Sequence, residues 1–215
     1  MSITPPTVFI VDDDPSVRRS LSRLVRQAGL DGQVYDSAEA FLEAQPAPPS
    51  RPACLVVDLQ MPGLSGLELQ RKLSQSHAPC PVVFISGNGD IPSTVQAMRQ
   101  GAVTFLTKPF DNDDLLRAIV EGLDKHRASL TADRQVNLIR DRMKELTERE
   151  LEVMAWVITG ALNKQIAAEL SVVEKTVKVH RARVLEKMQA QSVAELVRQC
   201  TLVGFAAAVP ASESA

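Results

Sequence analysis

The sequence is poor in the side chains that build disulfide frameworks and metal clusters. Its three cysteines, Cys54, Cys80 and Cys200, are widely spaced, with no CxxC pair among them. That pattern points to small buried apolar residues in a reducing cytoplasm. The three histidines, His77, His126 and His180, are equally scattered, which argues against an imidazole metal site. No apolar run approaches the roughly 18 residues that a membrane span requires. The opening "MSITPPTVFIV" lacks a basic segment followed by a long apolar stretch, so no secretory signal is expected. A net charge of −2 gives no global push toward nucleic acid or a membrane surface. A hydrophobic fraction of 45% is ordinary for a folded chain, and 215 residues allow one large domain or two modest ones.

What is present divides the chain in two. The first half alternates strand-like and helix-like segments. Strands are expected at residues 8–11, 33–35, 54–59, 82–86 and 104–107. The first, third and fourth are nearly unbroken apolar runs, as parallel strands covered on both faces should be. Asp14 and Pro15 form an N-cap and first-turn pair that opens a helix ended by Gly29. Further helices are expected at 37–44, 66–76 and 92–100, and from 111 onward. Five βα units in succession predict a doubly wound, five-stranded parallel sheet, an α/β domain over residues 1–124.

Beyond Gly122 the strand pattern stops. Residues 125–143 are polar and charge-mixed without Gly or Pro, which suggests a helical linker. Residues 144–205 carry only helix signals. Three S/T-x-x-E capping boxes stand at Thr147–Glu150, Ser171–Glu174 and Ser192–Glu195, and Asn163 makes a fourth cap. These predict a second, smaller all-α domain, followed by a disordered tail at 206–215.

The stretch "VFIVDDDPSV" sets three carboxylates at the edge of a buried strand. In open α/β sheets the functional crevice lies at the carboxyl ends of the strands. Those ends deliver Asp12 and Asp13 from the first strand, Asp58 from the third, Ser86 from the fourth and Lys108 from the fifth. Neighbouring strands are about 4.8 Å apart, so these side chains can converge. Two carboxylates about 4 Å apart repel by roughly 4 kcal/mol even at a generous effective dielectric. Such a group either binds protons or recruits a cation. An all-oxygen set without Cys or His favours a hard ion, with Mg²⁺ the natural guest where phosphate is handled. Asp58 could then act as nucleophile toward phosphorus and form an acyl phosphate, with Lys108 supplying positive charge and Ser86 a hydroxyl.

The motifs "VDDDP", "VVDLQMPGLSG", "ISGNGD" and "GAVTFLTKPF", in this order and spacing, resemble the receiver domain of bacterial two-component response regulators over residues 4–124. The resemblance implies a flavodoxin-like receiver in which Asp58 accepts phosphate from a sensor histidine kinase. It implies Mg²⁺ held by Asp13, Asp58 and the backbone carbonyl of Gln60, with Asp12 alongside. Ser86 and Phe105 match the family's switch pair, and Lys108–Pro109 its Lys–Pro step, often cis. Phe105 stands where many relatives carry Tyr, so no hydroxyl hydrogen bond is expected there.

The stretch "LTERELEVMAWVITGALNKQIAAELSVVEKTVKVHRARVLEKM" resembles the LuxR/FixJ-type helix-turn-helix. Residues 163–170 would be its first helix and 171–188 its recognition helix. On a helical wheel Val177, Val184, Leu185 and Met188 share the core side, with Lys175, Lys178, Val179 and Ala182 opposite. Lys178 and Val179 are expected at base edges, with Lys175 at the rim and Ala182 limited to a thymine methyl. Lys164, Thr176 and Lys187 are expected on phosphates. His180 and Trp156 are expected to pack.

Together these readings describe a phosphorylation-gated transcriptional regulator with promoter DNA, a sensor histidine kinase and RNA polymerase as partners, and dimerisation on activation. Two rival readings are a hydrolase and an ungated DNA-binding protein. The first is an aspartate-dependent phosphohydrolase using Asp12 and Asp14, with Asp113–Asp114 as a later motif, although "FDNDDLL" opens a helix and leaves Asp58 without a role. The second keeps DNA binding but is regulated by oligomerisation alone.

Overall fold

The computed structural model describes residues 5–44, 49–75, 80–87 and 91–208. The chain forms two compact units, Met1–Ala132 and Asp133–Ala215. In the first, strands β1 (Thr7–Val11), β2 (Asp31–Tyr35), β3 (Ala53–Asp58), β4 (Val82–Ser86) and β5 (Thr104–Thr107) make one sheet, all neighbours parallel, in the order β2–β1–β3–β4–β5. Its helices are α1 (Pro15–Gln27), α2 (Ala38–Ala44), α3 (Gly66–Leu73), α4 (Ile91–Arg99) and the start of α5 (Asn112–Lys144). This is the expected doubly wound α/β architecture.

The unbroken apolar runs have a direct cause in the packing. Phe9, Val11, Leu55, Val57 and Phe84 are buried in one layer, while Val8, Ile10, Cys54, Val56, Val83 and Ile85 are buried in another. Successive residues of a strand point to opposite faces, so both faces must be apolar when helices cover both. Burying each such side chain contributes about 1.5–3 kcal/mol. Burial also pushes the Cys54 thiol up to about 12, which leaves it an inert packing residue. His126 of α5 is buried as well, its Nδ1 accepting the Ala53 N–H at 2.8 Å.

Several boundaries differ from the sequence reading. Strand β2 begins at Asp31 because its pairing with β1 starts at Thr7–Asp31. Helix α3 stops at Leu73, and Ser76 and His77 lie outside the described residues. Helix α4 starts at Ile91, while residues 88–90 of the "ISGNGD" motif are outside them too, as are residues 209–215 of the expected tail. A capping box that the sequence reading passed over, Ser65–Glu68, opens α3.

The second unit contains the end of α5 and helices α6 (Glu148–Val157), α7 (Asn163–Glu169), α8 (Glu174–Lys187) and α9 (Val193–Val203). Its core gathers Ile139, Val153, Met154, Ile166, Val177, Val184, Met188 and Leu196. Thr147 and Glu150 form the expected box, and Ser192 accepts the N–H of Glu195. Two expected caps are corrected. Ser171 has φ of 52° and belongs to the turn after α7, so α8 begins later, at Glu174, with Val173 as an N-cap that makes no side-chain hydrogen bond. Asn163 is already inside α7, where Gln165 accepts the N–H of Leu162. The Asn163 side chain instead accepts from Arg181 at 3.0 Å. Polar spacing marked these turns correctly but assigned the wrong hydrogen bonds.

Two stability predictions follow from this packing. A Cβ at Gly66 would lie 2.4 Å from the backbone oxygen of Asp58 and 3.0 Å from the Phe84 ring. Gly66→Ala should therefore cost about 1–3 kcal/mol in urea unfolding of the first unit. In the second unit, the Lys187 ammonium 2.7 Å from buried Glu150, with the Thr147 N–H, holds the Glu150 carboxyl below its ordinary 4.5. A depressed carboxyl contributes stability that is complete above 4.5 and lost as pH falls through the lowered value. Glu150→Gln should cost about 1–3 kcal/mol at neutral pH and flatten the acid side of the profile. Urea unfolding followed by far-ultraviolet circular dichroism checks the first effect, and melts followed through Trp156 of the second unit, the single tryptophan, check the second.

Candidate functional site

The carboxyl ends of the parallel strands bring the expected residues together. Asp12 directly follows β1, Asp58 is the last residue of β3, Ser86 the last of β4, and Lys108 directly follows β5. The Lys108 ammonium donates to Asp12 Oδ2 and to Asp58 Oδ2, each at 2.7 Å. Its backbone N–H donates to the Ser86 carbonyl at 2.7 Å, which carries the β4–β5 ladder to the edge of the pocket. Asp12 is fully buried and Asp58 nearly so, whereas Asp13 is exposed. Oxygens from Asp12, Asp13 and Asp58 all lie within 4.8 Å of one another.

Each carboxylate is also held by backbone. Asp12 Oδ1 accepts the N–H of Asp14 at 2.8 Å, and Asp58 Oδ1 accepts the N–H of Gln60 at 3.1 Å. Asp14 itself accepts the N–H of Ser16 and caps α1. The rival use of Asp12 and Asp14 as a catalytic pair thus meets an Asp14 already engaged in a helix cap. Asp114 of the other rival motif pairs with Arg117 in the first turn of α5. A residue the sequence reading missed is Arg18, whose guanidinium donates to the Asp12 carbonyl at 2.6 Å. Only its place one turn into α1 after the acidic run could have signalled this contact.

Ser86, which ends β4, and Phe105, which lies within β5, are the pair that the resemblance marks as a switch. Ser86 is buried, and Phe105 is half-buried with its ring 6.3 Å from Phe84 in a near-parallel stack. The Lys108–Pro109 peptide bond is cis, as the resemblance implied.

Among the described residues of the second unit, α7 and α8 meet across a short turn. Val177, Val184 and Met188 are buried, while Lys164, Lys175, Lys178, Val179 and Ala182 are exposed and Thr176 is half-buried. Lys178 pairs with Glu174 one turn earlier at 3.2 Å. Lys187 differs from the others, because its ammonium is held by Glu150 and by the Glu145 carbonyl at 3.0 Å. Arg142 and Arg149 donate to the Met188 and Leu170 carbonyls, tying down the ends of α8 and α7.

Comparison with known proteins identifies the family of each unit. Residues 8–120 match the response regulator receiver domain, and residues 144–200 match the bacterial regulatory proteins of the luxR family. The chain is a response regulator of this two-domain type. It is 44% identical to nodulation protein W of Bradyrhizobium diazoefficiens, over 95% of this chain and 89% of that one. It is 43% identical to the transcriptional regulatory protein FixJ of Rhizobium meliloti, over 94% and 98%. Among solved structures, the response regulator StyR shares 44% identity at a TM-score of 0.80, over 92% of this chain and 98% of that one. Full-length FixJ from B. japonicum shares 38% identity at a TM-score of 0.56, over 94% and 98%. The regulator is therefore a transcriptional regulator with a receiver and a LuxR-type DNA-binding domain. No described helix is long and apolar enough to cross a membrane.

The electrostatics of the response regulator's acidic pocket follow from its burial. Desolvation pushes the Asp12 carboxyl above its ordinary 3.8, against the opposing pull of Lys108 and the Asp14 N–H. For Lys108, burial acts downward, but the hydrogen bonds and charges of Asp12 and Asp58 prevail and raise it above 10.5. A raised carboxyl contributes stability that is complete below 3.8 and lost as pH rises through the folded value. Lys108 limits that loss. In Lys108→Met the Asp12 carboxyl should titrate higher still, and the loss on raising pH should be larger. Carboxyl-resolved NMR titration with parallel melts checks the sign.

Proposed function

We propose that the regulator is gated by phosphorylation of Asp58, with a sensor histidine kinase as donor. The observation that carries this reading is Lys108 bridging Asp12 and Asp58 at 2.7 Å on each side, which joins three strand ends in one pocket. In the transfer, an Asp58 carboxylate oxygen attacks phosphorus. The oxygen–phosphorus bond forms as the donor's nitrogen–phosphorus bond breaks, and the departing imidazole keeps the electron pair. Lys108 then faces a more negative Asp58, and the Ser86 hydroxyl supplies a donor to the new oxygens.

The oxygen-only donor set of Asp12, Asp13 and Asp58 suits a hard divalent ion. Mg²⁺ held by these carboxylates and the Gln60 carbonyl would neutralise charge on the pocket and on the phosphoryl oxygens. Ser86 and Phe105 are the proposed switch, with Pro109 beside them. Their rearrangement would favour a homodimer and promoter binding. Turning a mostly inactive population into a mostly active one needs about 5.5 kcal/mol of differential stabilisation.

On DNA, α8 is proposed to enter the major groove, with Lys178 and Val179 at base edges, Lys175 at the rim and Ala182 near a thymine methyl. Lys164 and Thr176 would contact phosphates, and Lys187 only by leaving Glu150. RNA polymerase is the partner expected at the promoter, and the cytoplasm is where these partners meet.

Intact-mass analysis after treatment with a small phosphodonor and Mg²⁺ tests the central step. The wild-type chain should gain one phosphoryl group on Asp58 and bind operator DNA more tightly. Asp58→Asn should gain neither the mass nor the affinity. A modified, fully responsive Asp58→Asn variant would sink the proposal.

A further inference from the structure

We infer that helix α1 carries a second, sequence-independent DNA contact, in which Arg19, Arg23 and Arg26 take phosphodiester oxygens of duplex DNA. The inference starts from how this chain treats surface cations. On α5 and α6 many of them pair with carboxylates three or four residues away, as in Arg117–Asp114, Lys125–Glu121, Arg127–Asp124, Lys144–Asp141 and Arg149–Glu152. Such pairs contribute little stability each, but they cancel the field of the helix surface. Two helices carry clusters of cations, α1 and α8, although α8 keeps one such pair, Lys178–Glu174.

Helix α8 carries five cations and two glutamates, a net charge of +3. Helix α1 carries four arginines and no acidic residue, a net charge of +4 over 13 residues. The helix with the family's DNA-reading role is thus less cationic than α1. Arg18 is spent on the Asp12 carbonyl. Arg19, Arg23 and Arg26 are exposed, and among the described residues none has a carboxylate partner. Arg19 meets only the Ser16 hydroxyl, at 3.2 Å.

These three arginines share one side of α1 with Ser22 and Gln27 and border a shallow depression of about 600 Å³. At about 1.5 Å per residue, Arg19 to Arg26 spans roughly 10 Å. That length equals the axial rise of about three base pairs at roughly 3.4 Å each, enough to reach more than one phosphate of a strand. A protein partner would call for an apolar centre with the arginines at its rim. Here only Pro15 and Val34 add exposed apolar side chains to the border of the depression, beside four arginines. Guanidinium groups without internal counterions fit a polyanion with evenly spaced charge, and this chain already binds one.

The experiment is the salt dependence of binding to a 30-base-pair duplex of random sequence, using the full chain. Each phosphate contact contributes about 0.9 to the slope of log affinity against log salt. Arg19→Ala/Arg23→Ala/Arg26→Ala should reduce the magnitude of that slope by about 2 to 3. It should leave Asp58 modification by a small phosphodonor unchanged, which also reports that the first unit is folded. Arg23→Glu alone should weaken binding in low salt and lose that effect in high salt. A triple variant with the wild-type slope overturns the inference and leaves the arginines to an acidic protein. Lys175→Ala/Lys178→Ala, run in parallel, reports on α8 alone, so failure of the proposed groove contact is distinguishable from failure here.

Discussion

The bridge from Lys108 to Asp12 and Asp58 is the constraint on which the rest of the first unit depends. Asp12 is fully buried, and two carboxylates at this separation would not both stay ionised beside an apolar core without a cation. One ammonium answers both oxygens, but a single positive charge does not neutralise Asp12, Asp13 and Asp58 together. The pocket keeps an excess of negative charge in a place shielded from water. That excess is what makes a divalent cation a fitting guest and a phosphoryl group a large perturbation.

The sheet makes this bridge possible by geometry alone. Parallel strands end on the same side, so β1, β3 and β5 deliver their final residues to one edge although Asp12 and Lys108 are 96 positions apart in sequence. Gly66 lets the start of α3 approach the Asp58 carbonyl, and its N–H donates to the Leu59 carbonyl at 3.1 Å. The cores on the two sides of the sheet hold the strands in register. A small movement at Asp58 therefore meets rigid neighbours, which favours two discrete arrangements over a continuous drift.

Much of this was legible before any coordinates. The sheet could be read because strands buried on both faces must be apolar throughout, and Val8–Val11 and Cys54–Val57 are. The pocket could be read because carboxylates at strand ends have few other reasons to follow such runs. What the sequence concealed were hydrogen bonds between residues distant along the chain. Lys187 looked like one more cation of a basic helix, yet Glu150, 37 positions away, holds it. Ser171 and Glu174 have the spacing of a capping box, but a left-handed Ser171 places the hydroxyl in the preceding turn. Arg18 belongs to the same class, since nothing in its spacing reveals a carbonyl one strand end away.

Charge is distributed unevenly along the chain. A chain of net charge −2 concentrates negative charge in the Asp12–Asp13–Asp58 pocket and positive charge on α1 and α8. The proposed phosphorylation of Asp58 would add roughly 1.5 to 2 further negative charges at neutral pH, at the pocket that lies directly before α1. Arg18 stands between them, with its guanidinium on the Asp12 carbonyl and its helix carrying the unpaired arginines. Fields of this kind decay over about 8 Å at physiological salt, so the new charge acts on the pocket and the first turn of α1 but not on the whole molecule. Any effect of the phosphoryl group on DNA binding must therefore be carried by rearrangement of packed elements. Ser86 and the Phe105 ring stacked on Phe84 are the element proposed for that rearrangement.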